Sequence, residues 1–343
     1  MQNIRLALLG MGRIGKIHFS HIGQHFTNAT IIAVADTQLD SNAFERDYRN
    51  VEFSSNPFEV IERDDVDAVI ICTPTSSHAE LLEKAIQNGK HIFCEKPMDL
   101  SLEKSVSLAE MADEAGVKLM LGFNRRFDPN FLHAYNSVRD GKVGNVQIIK
   151  ITSRDPGLPS IDYIKSSGGL FMDMAIHDFD MARYIMGKEV VEVLAKGMVL
   201  VDPAVAKAGD IDTALTVLTF EDGSCAVIDN SRRAVYGYDQ RLEIFGDGGM
   251  IKVENNLHNQ NILFDKDGIH HALPLDFFMD RYTTSYLKEM QVFIEALYKD
   301  EAVPVGGFDG LQATRIAYAA KLSMEEERSV QLTEVDIRSR LTV

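Results

Sequence analysis

Short apolar runs alternate with longer amphipathic stretches along the first third of the chain. Each run ends at a glycine or a polar turn, which predicts a buried strand. Five runs share this pattern: 4–9, 31–35, 68–72, 91–95 and 118–123. Helical patterns lie between them at 14–23, 79–88 and 102–115, the last two closed by Gly89 and Gly116. Buried strands that alternate with helices indicate an α/β domain with a doubly wound parallel sheet.

The pattern changes after residue 123. Helical periodicity covers 130–140 and 169–186, and five strand-like segments then follow in succession: 190–201, 213–220, 224–231, 240–245 and 249–253. The connections between these strands are short, which favours antiparallel pairing in one large open sheet. Helical patterns at 287–298 and 311–327 close the chain. We therefore predict a first domain over residues 1–123 and an α+β domain over 124–343, and leave open whether the final helix packs on the first domain.

Composition limits the classes of partner. The chain has 343 residues, which suits two domains, and 45% of them are hydrophobic, which suits packed cores. Its 35 basic and 51 acidic residues give a net charge of −16. Such a charge repels phosphate backbones and anionic lipids, so nucleic acid and membrane surfaces are poor partner hypotheses. An uncharged small-molecule substrate is favoured.

The cysteines and the chain start indicate a cytoplasmic protein. Cys72, Cys94 and Cys225 are odd in number and form no CxxC pair, and the first two lie in apolar runs typical of buried free thiols. No secretory signal is visible at the start. No run approaches the roughly 18 apolar residues of a membrane span.

A glycine-rich turn follows the first predicted strand. Gly10-Met11-Gly12-Arg13-Ile14-Gly15 is a G-x-G-x-x-G pattern that opens a helix, and Asp36 ends the second strand. In this context Gly10 makes the tight turn, Gly12 lets a pyrophosphate approach, and Gly15 lets helix and strand pack closely. The pattern predicts a Rossmann domain that binds a dinucleotide at the N-terminus of the helix.

The acid at residue 36 favours NAD as the cofactor. Its carboxylate would accept hydrogen bonds from the adenosine ribose and repel a 2′-phosphate. Arg13 leaves dual use of NADP open, because it lies beside the turn. Ligands bind beyond the carboxyl ends of such strands, so the loop after the third strand is also expected to line the cofactor. The predicted cofactor-binding residues are Gly10, Gly12, Arg13, Ile14, Gly15, Asp36, Thr73, Pro74, Thr75, His78, Glu95 and Lys96.

Two further segments carry candidate catalytic groups. Glu95-Lys96-Pro97 ends the fourth strand, where a lysine faces the crevice, and we hypothesise a cis bond before Pro97. Asp173 lies four residues before His177, which on a helix puts both side chains on one face. A carboxylate beside an imidazole holds one tautomer and stabilises the ring when it takes a proton. Lys96, Asp173 and His177 are therefore the predicted catalytic residues of a hydride-transfer enzyme.

Several motifs in this order and spacing resemble the Gfo/Idh/MocA oxidoreductases, and most closely the inositol dehydrogenases among them. The resemblance covers the chain from Ile4 to at least Lys321. It is carried by the glycine turn, by Glu95-Lys96-Pro97, by Asp173 with His177, and by three further groups of residues. These groups are Gly122-Phe123-Asn124-Arg125-Arg126-Phe127-Asp128, Ser153-Arg154-Asp155-Pro156 with Ile161-Asp162-Tyr163 and Ser167-Gly168-Gly169, and Ser231-Arg232-Arg233-Ala234-Val235-Tyr236-Gly237-Tyr238-Asp239.

The resemblance implies a Rossmann domain followed by an α+β domain for substrate binding and oligomerisation. It implies NAD-dependent oxidation of a secondary hydroxyl of a cyclic polyol, expected to be myo-inositol giving scyllo-inosose, as a step of inositol catabolism. His177 would be the general base, Asp173 would orient it, and Lys96 would hold the hydroxyl. A homo-tetramer is also implied. The expected substrate contacts are Lys96, Asn124, Arg125, Asp155, Asp173, His177 and Tyr238.

Other functions remain open at this stage. The substrate could instead be scyllo-inositol or an aldose, and a second class of function is a non-catalytic NAD(P)-sensing regulator. The intact lysine, aspartate and histidine argue against a sensor, which needs no proton acceptor. No metal is expected: His18, His21 and His25 share a helix face, but no acid or cysteine joins them in the sequence pattern.

Overall fold

A computed structural model describes residues 3–335, which form two compact units. The first unit contains the chain up to Phe127 together with Thr284–Thr314, and the second contains Asp128–Thr283 and the chain from Arg315 onward. The sequence-based boundary lies at residue 123 and leaves 284–314 in the second domain, whereas this stretch groups with the first unit. Residues 1–2 and 336–343 of the predicted domains lie outside the described residues.

The first unit is built on a six-stranded parallel sheet, as expected for a Rossmann domain. Its strands are β1 (Ile4–Leu9), β2 (Ala29–Ala35), β3 (Glu52–Ser54), β4 (Ala68–Ile71), β5 (His91–Cys94) and β6 (Leu119–Leu121). Their order in the sheet is β3-β2-β1-β4-β5-β6. The five predicted strands are confirmed. The edge strand β3 was not predicted, because it is three residues long and has no buried residue to make an apolar run.

Helices connect these strands. They are α1 (Arg13–His25), α2 (Ser41–Asp47), α3 (Pro57–Ile61), α4 (His78–Gln87) and α5 (Leu102–Ala115). Local signals set their ends: the Ser101 side chain accepts a hydrogen bond from the backbone N–H of Lys104 at the start of α5, and Gly116 ends that helix with φ +67°. The ends predicted from the capping residues of α4 and α5 therefore agree with the structure to within a residue or so.

The second unit contains a seven-stranded sheet of order β12-β11-β7-β10-β9-β8-β15 and a separate hairpin. The strands are β7 (Val146–Arg154), β8 (Val190–Met198), β9 (Thr213–Phe220), β10 (Cys225–Ser231), β11 (Asp239–Gly246), β12 (Gly249–Val253), β13 (Ile262–Asp265), β14 (Gly268–His271) and β15 (Val330–Gln331). The predicted antiparallel pairing holds for β8 with β9, β9 with β10 and β11 with β12. It fails between β10 and β11, because β7 lies between them, parallel to β10 and antiparallel to β11. The sheet is mixed because the chain crosses over β7 on its way from β10 to β11.

Strand β7 was not predicted, although its buried and exposed positions alternate as they do in a strand with one buried face. Its pairing explains its importance, since it joins the β8–β10 half of the sheet to the β11–β12 hairpin. The residue that follows it is Asp155, one of the predicted substrate contacts.

The second unit also contains helices, and one predicted helix differs in type from the prediction. They are α6 (Pro129–Arg139), α7 (Ile161–Ser166), α8 (Ile176–Met186), α9 (Pro203–Lys207) and α10 (Phe278–Arg281). The predicted helix over 169–186 is helical throughout, but Phe171–Ala175 is π-helical, so α8 is counted from Ile176. Two long helices follow, α11 (Thr283–Lys299) and α12 (Gly307–Glu326). Across residues 3–335, no helix combines the length and apolarity needed to cross a bilayer.

Candidate active site

The glycine turn between β1 and α1 has the shape that a dinucleotide requires. Gly10 has φ +93°, and a Cβ there would lie 2.8 Å from the carbonyl carbon of Cys72. A Cβ on Gly15 would lie only 1.9 Å from the carbonyl oxygen of Gly10. By contrast, nothing lies within 4 Å of where a Cβ on Gly12 would be, so the backbone at the helix start is open to a pyrophosphate.

Asp36 is fixed directly beside this turn. One carboxylate oxygen accepts a 2.7 Å hydrogen bond from the backbone N–H of Met11. The other accepts from the backbone N–H groups of Gln38 at 2.7 Å and Leu39 at 3.2 Å. These bonds hold an anion where the adenosine ribose of a bound dinucleotide is expected. The residues of the turn therefore fit NAD.

Replacing Asp36 by serine is expected to raise the ratio of NADP to NAD use by about tenfold or more, because it removes the charge that repels a 2′-phosphate. The measurement is kcat/KM with each cofactor. Asp47→Ser, a change of a largely exposed carboxylate in α2, is the control and should leave the ratio unchanged. An unchanged ratio in the Asp36 variant would contradict the role of this carboxylate.

The loop after β4 is tied to the turn that carries Lys96. Thr73, Pro74 and Thr75 lead into α4, whose first residue, His78, is buried. One ring nitrogen of His78 lies 2.8 Å from the carbonyl oxygen of Thr73, and the other lies 2.7 Å from that of Pro97. The ring of His78 therefore links two loops at the carboxyl end of the sheet, which is a supporting position for a cofactor-binding loop.

Lys96 lies in a constrained turn. It follows β5 by two residues, its side chain is half-buried, and the Lys96–Pro97 bond is cis, as hypothesised from the sequence. The next predicted contacts, Asn124 and Arg125, lie in a short 3₁₀ turn after β6 and are both buried. Lys96, Asn124 and Arg125 all belong to the first unit and follow neighbouring strands of its sheet.

Asp173 and His177 stand out from the segment that carries them. Within residues 170–183, Asp173 and His177 are half-buried, and all the remaining residues are buried. Asp173 lies in the π-helical segment and His177 in the first turn of α8. The wider turn of a π-helix changes the geometry assumed for two residues four apart in a regular α-helix. Such segments occur often at functional sites, and this one contains Asp173 and ends two residues before His177.

Two residues without an assigned role in the sequence hold the Asp173 carboxylate. The hydroxyl of Tyr163 donates to one oxygen at 2.8 Å, and a guanidinium nitrogen of Arg232 donates to the other at 3.1 Å. Tyr163 is 48% exposed as a residue, but desolvation around its hydroxyl, followed by the charge of Asp173, raises its pKa, so this hydroxyl keeps its proton and remains a donor. Tyr163 and Arg232 both lie in motifs on which the family resemblance rests. Membership of these motifs was the one feature of the sequence that could have indicated a role for them.

Arg232 organises an acidic cluster in the second unit. Its side chain is almost fully buried, and its guanidinium nitrogens lie 3.9 Å from Asp155 and 4.0 Å from Asp210 in addition to the contact with Asp173. Buried charges are stable when paired, and here one cation faces three carboxylates. Asp155 and Asp173, two of the predicted substrate contacts, are thus brought to the same side chain.

Tyr238 occupies a different environment. Its ring is buried, it packs edge-on against Tyr282 at 6.0 Å between centroids, and its backbone N–H donates to Leu275. The three cysteines are free. The expectation that no acid or cysteine joins the histidines of α1 is wrong for His18, because among residues 3–335 the fold brings Cys72 and Glu95 to it, with ligand atoms within 4.8 Å of one another. Neither His21 nor His25 belongs to this group. Burial and the two neighbouring histidines lower the pKa of His21 to about 4.

Comparison with known proteins assigns both units. Residues 4–123 match the oxidoreductase family with an NAD-binding Rossmann fold, and residues 131–252 match the GFO/IDH/MocA C-terminal domain. The chain is 46% identical to a myo-inositol 2-dehydrogenase of Thermotoga maritima, over 97% of this chain and 99% of that one. It is 42% identical to an inositol 2-dehydrogenase of Rhizobium meliloti, over 96% and 99%.

A solved structure with bound ligands is also similar. The scyllo-inositol dehydrogenase from Lactobacillus casei with bound NAD(H) and scyllo-inositol superposes with a TM-score of 0.90. It is 31% identical, covering 97% of this chain and 99% of that one. The two-unit fold and the cofactor-binding architecture derived above are therefore those of known NAD-dependent enzymes.

Proposed function

Because the chain belongs to the GFO/IDH/MocA oxidoreductase family and is an NAD-dependent dehydrogenase, we propose that it oxidises myo-inositol to scyllo-inosose. Bound NAD supplies the nicotinamide ring that accepts the hydride from the substrate carbon. The observation that carries the proposal is the pair Asp173 and His177, half-buried in an otherwise buried segment, with the Asp173 carboxylate held by Tyr163 and Arg232.

In the proposed reaction His177 removes the hydroxyl proton of the substrate. Imidazole has the pKa range for this step, and a positioned base contributes about 10²–10⁴-fold to the rate. Lys96 holds the same hydroxyl oxygen and favours the negative charge that develops on it. Asp173 stabilises the protonated imidazole, and its contacts with Tyr163 and Arg232 keep the carboxylate in one orientation.

The substrate class follows from the polar groups available. A cyclic polyol is uncharged and needs several donors and acceptors, which Asn124, Arg125, Asp155 and Tyr238 are proposed to supply. The net charge of −16 disfavours an anionic substrate. An identity of 46% with a myo-inositol 2-dehydrogenase favours the myo isomer, while the similarity to a scyllo-inositol dehydrogenase supports scyllo-inositol as the second candidate.

The test is a substrate panel. The protein is incubated with NAD and, separately, with myo-inositol, scyllo-inositol, glucose and galactose, and the absorbance of reduced cofactor is followed. We expect the highest kcat/KM with myo-inositol. A higher value with scyllo-inositol or an aldose would replace the proposed substrate, and NAD binding without turnover on any polyol would favour the sensor function instead.

We also propose a cytoplasmic homo-tetramer that acts in inositol catabolism. Three free thiols support a reducing compartment. The outward face of the seven-stranded sheet carries an apolar row in which Phe245 pairs with Ile148 and Met250, and both Phe245 and Met250 are exposed. Exposed apolar sheet faces of this kind are typical subunit contacts. Sedimentation equilibrium should give four times the chain mass of 38.3 kDa, and a monomer would contradict the proposal.

A further inference from the structure

A buried cluster of titratable groups lies directly behind the turn that carries Lys96. Nε2 of His18, in α1, lies 3.2 Å from Oε1 of Glu95 and 3.9 Å from Oε1 of Glu289, in α11. His18 and Glu289 are fully buried, and the side chain of Glu95 is 16% exposed. All three belong to the first unit, and Glu95 immediately precedes Lys96.

Glu289 has an unusual environment for a carboxyl group. Within residues 3–335, neither of its oxygens has a hydrogen-bond partner, and the same is true of Nδ1 of His18. The single Nε2 of His18 can donate to one carboxylate, and Glu95 is the nearer. Burying a carboxyl group without a hydrogen bond costs stability, so the position of Glu289 requires an explanation.

Glu95 is confined on its other side by backbone. A Cβ on Gly122 would lie 2.8 Å from Oε2 of Glu95 and 2.9 Å from its Cδ, so the carboxylate rests on the glycine itself. Beyond Lys96, the carbonyl oxygen of Pro97 is held by the ring of His78 at 2.7 Å. Both ends of the Lys96 turn are therefore anchored by side chains that are not predicted to touch the substrate.

We propose that His18 and Glu289 are positioning residues that hold the Glu95 carboxylate and thereby fix Lys96 for catalysis. The inference rests on the proposed role of Lys96 as the group that binds the reacting hydroxyl. Glu289 lies near the same ring nitrogen of His18 as Glu95, and it does so as a neutral carboxylic acid, because two carboxylates around one buried nitrogen cannot both ionise at low cost. His18 supplies the hydrogen bond that orients Glu95.

The protonation states support this arrangement. The titratable groups that face Glu289 are Glu95, His18 and Cys72. Burial, with a further contribution from the charge of Glu95, raises the pKa of Glu289 well above its ordinary value of 4.5. Burial likewise raises the pKa of the Cys72 thiol, so the neighbouring sulfur is neutral. The raised pKa of Glu289 therefore favours a proton on this carboxyl group.

The experiment compares two substitutions of Glu289 under single-turnover conditions. Glu289→Gln keeps the shape of a protonated acid and should keep the wild-type rate of cofactor reduction. Glu289→Ala leaves a gap beside the ring of His18, and the resulting displacement of Glu95 and Lys96 should lower the rate by about 10²-fold with NAD affinity retained. Glu295→Gln, on the surface of the same helix, is the matched control and should have no effect. Gly122→Ala, which pushes directly on Glu95, should reproduce the Glu289→Ala result.

A stability measurement tests the proton on Glu289 directly. A raised pKa in the folded state contributes stability below the unfolded pKa near 4.5, and this contribution is lost as the pH rises toward the folded pKa. Glutamine has no proton to lose. The Tm of Glu289→Gln relative to wild type should therefore increase as the pH rises from about 4 to about 8. The infrared carbonyl band of a protonated carboxyl group should be present in the wild type at neutral pH and absent in this variant.

Three results would overturn the inference. The first is a loss of turnover in Glu289→Gln equal to that in Glu289→Ala, which would mean that the ionised form is needed. The second is wild-type turnover in folded Glu289→Ala and Gly122→Ala. The third is one equivalent of a divalent metal in the purified wild type, because His18, Cys72 and Glu95 offer ligand atoms within 4.8 Å of one another and a bound ion would then hold Glu95.

Failure of the proposed function gives a different pattern. If the wild type oxidises none of the four polyols, the substrate proposal fails, while the infrared and Tm measurements still decide whether Glu289 holds a proton. If the wild type turns over and the Glu289 variants all behave like it, the positioning inference alone fails.

Discussion

Replacing His177 by alanine is expected to lower kcat for the polyol by about 10²–10⁴-fold, the range that a positioned general base supplies. The substrate hydroxyl would then have to lose its proton to water while Lys96 still held the oxygen. NAD affinity should change little, because the glycine turn and Asp36 lie in the first unit and His177 in the second. Rates of cofactor reduction and NAD titrations by fluorescence measure the two effects separately.

The control for this substitution is His133→Ala. His133 lies in α6, is exposed, and belongs to the same unit, so the change removes an imidazole without touching the proposed site. Lys96→Ala is expected to resemble His177→Ala, with turnover lost and NAD binding kept. Wild-type turnover in either Lys96→Ala or His177→Ala would refute the role given to that residue.

Replacing Gly15 by alanine is expected to weaken NAD binding by about 10²-fold or more, the equivalent of roughly 2.7 kcal/mol. The added Cβ would lie 1.9 Å from the carbonyl oxygen of Gly10 and 3.0 Å from its carbonyl carbon, so backbone must move. This movement separates the start of α1 from β1 and disturbs the open N–H groups at Gly12. Isothermal titration with NAD gives the affinity, and thermal unfolding shows whether the fold survives.

The same helix contains a matched control. Gly23 also lies in α1, and nothing lies within 4 Å of where its Cβ would be. Gly23→Ala should therefore bind NAD normally and unfold at a slightly higher temperature, since alanine is favoured over glycine in a helix by about 1 kcal/mol. If Gly15→Ala and Gly23→Ala bound NAD equally well, the turn would not be the pyrophosphate site.

The candidate site divides into parts that the sequence could and could not predict. The NAD turn and Asp36 were accessible because a strand, a glycine turn and a helix follow one another, and their geometry is local. Lys96, Asp173 and His177 were also accessible as motifs, and their catalytic roles stay predictions. The contact between Asp173 and Arg232 could not be predicted from the sequence, since Arg232 is 59 residues away in the chain. Nor could the partnership between His18 and Glu289, which lie on two helices far apart in the sequence.

The hydrophobic pattern determined the parallel sheet of the first unit, because buried strands and amphipathic helices each have a period that is written in adjacent residues. The spacing of the glycines in turn determined the cofactor site, because a close backbone approach requires glycine at fixed positions. Only the tertiary structure decided that β7 runs parallel to β10, that residues 284–314 return to the first unit, and that Glu289 lies 3.9 Å from the ring of His18. These features depend on which distant segments pack together. The hydrophobic periodicity of one segment does not show which other segment it will contact.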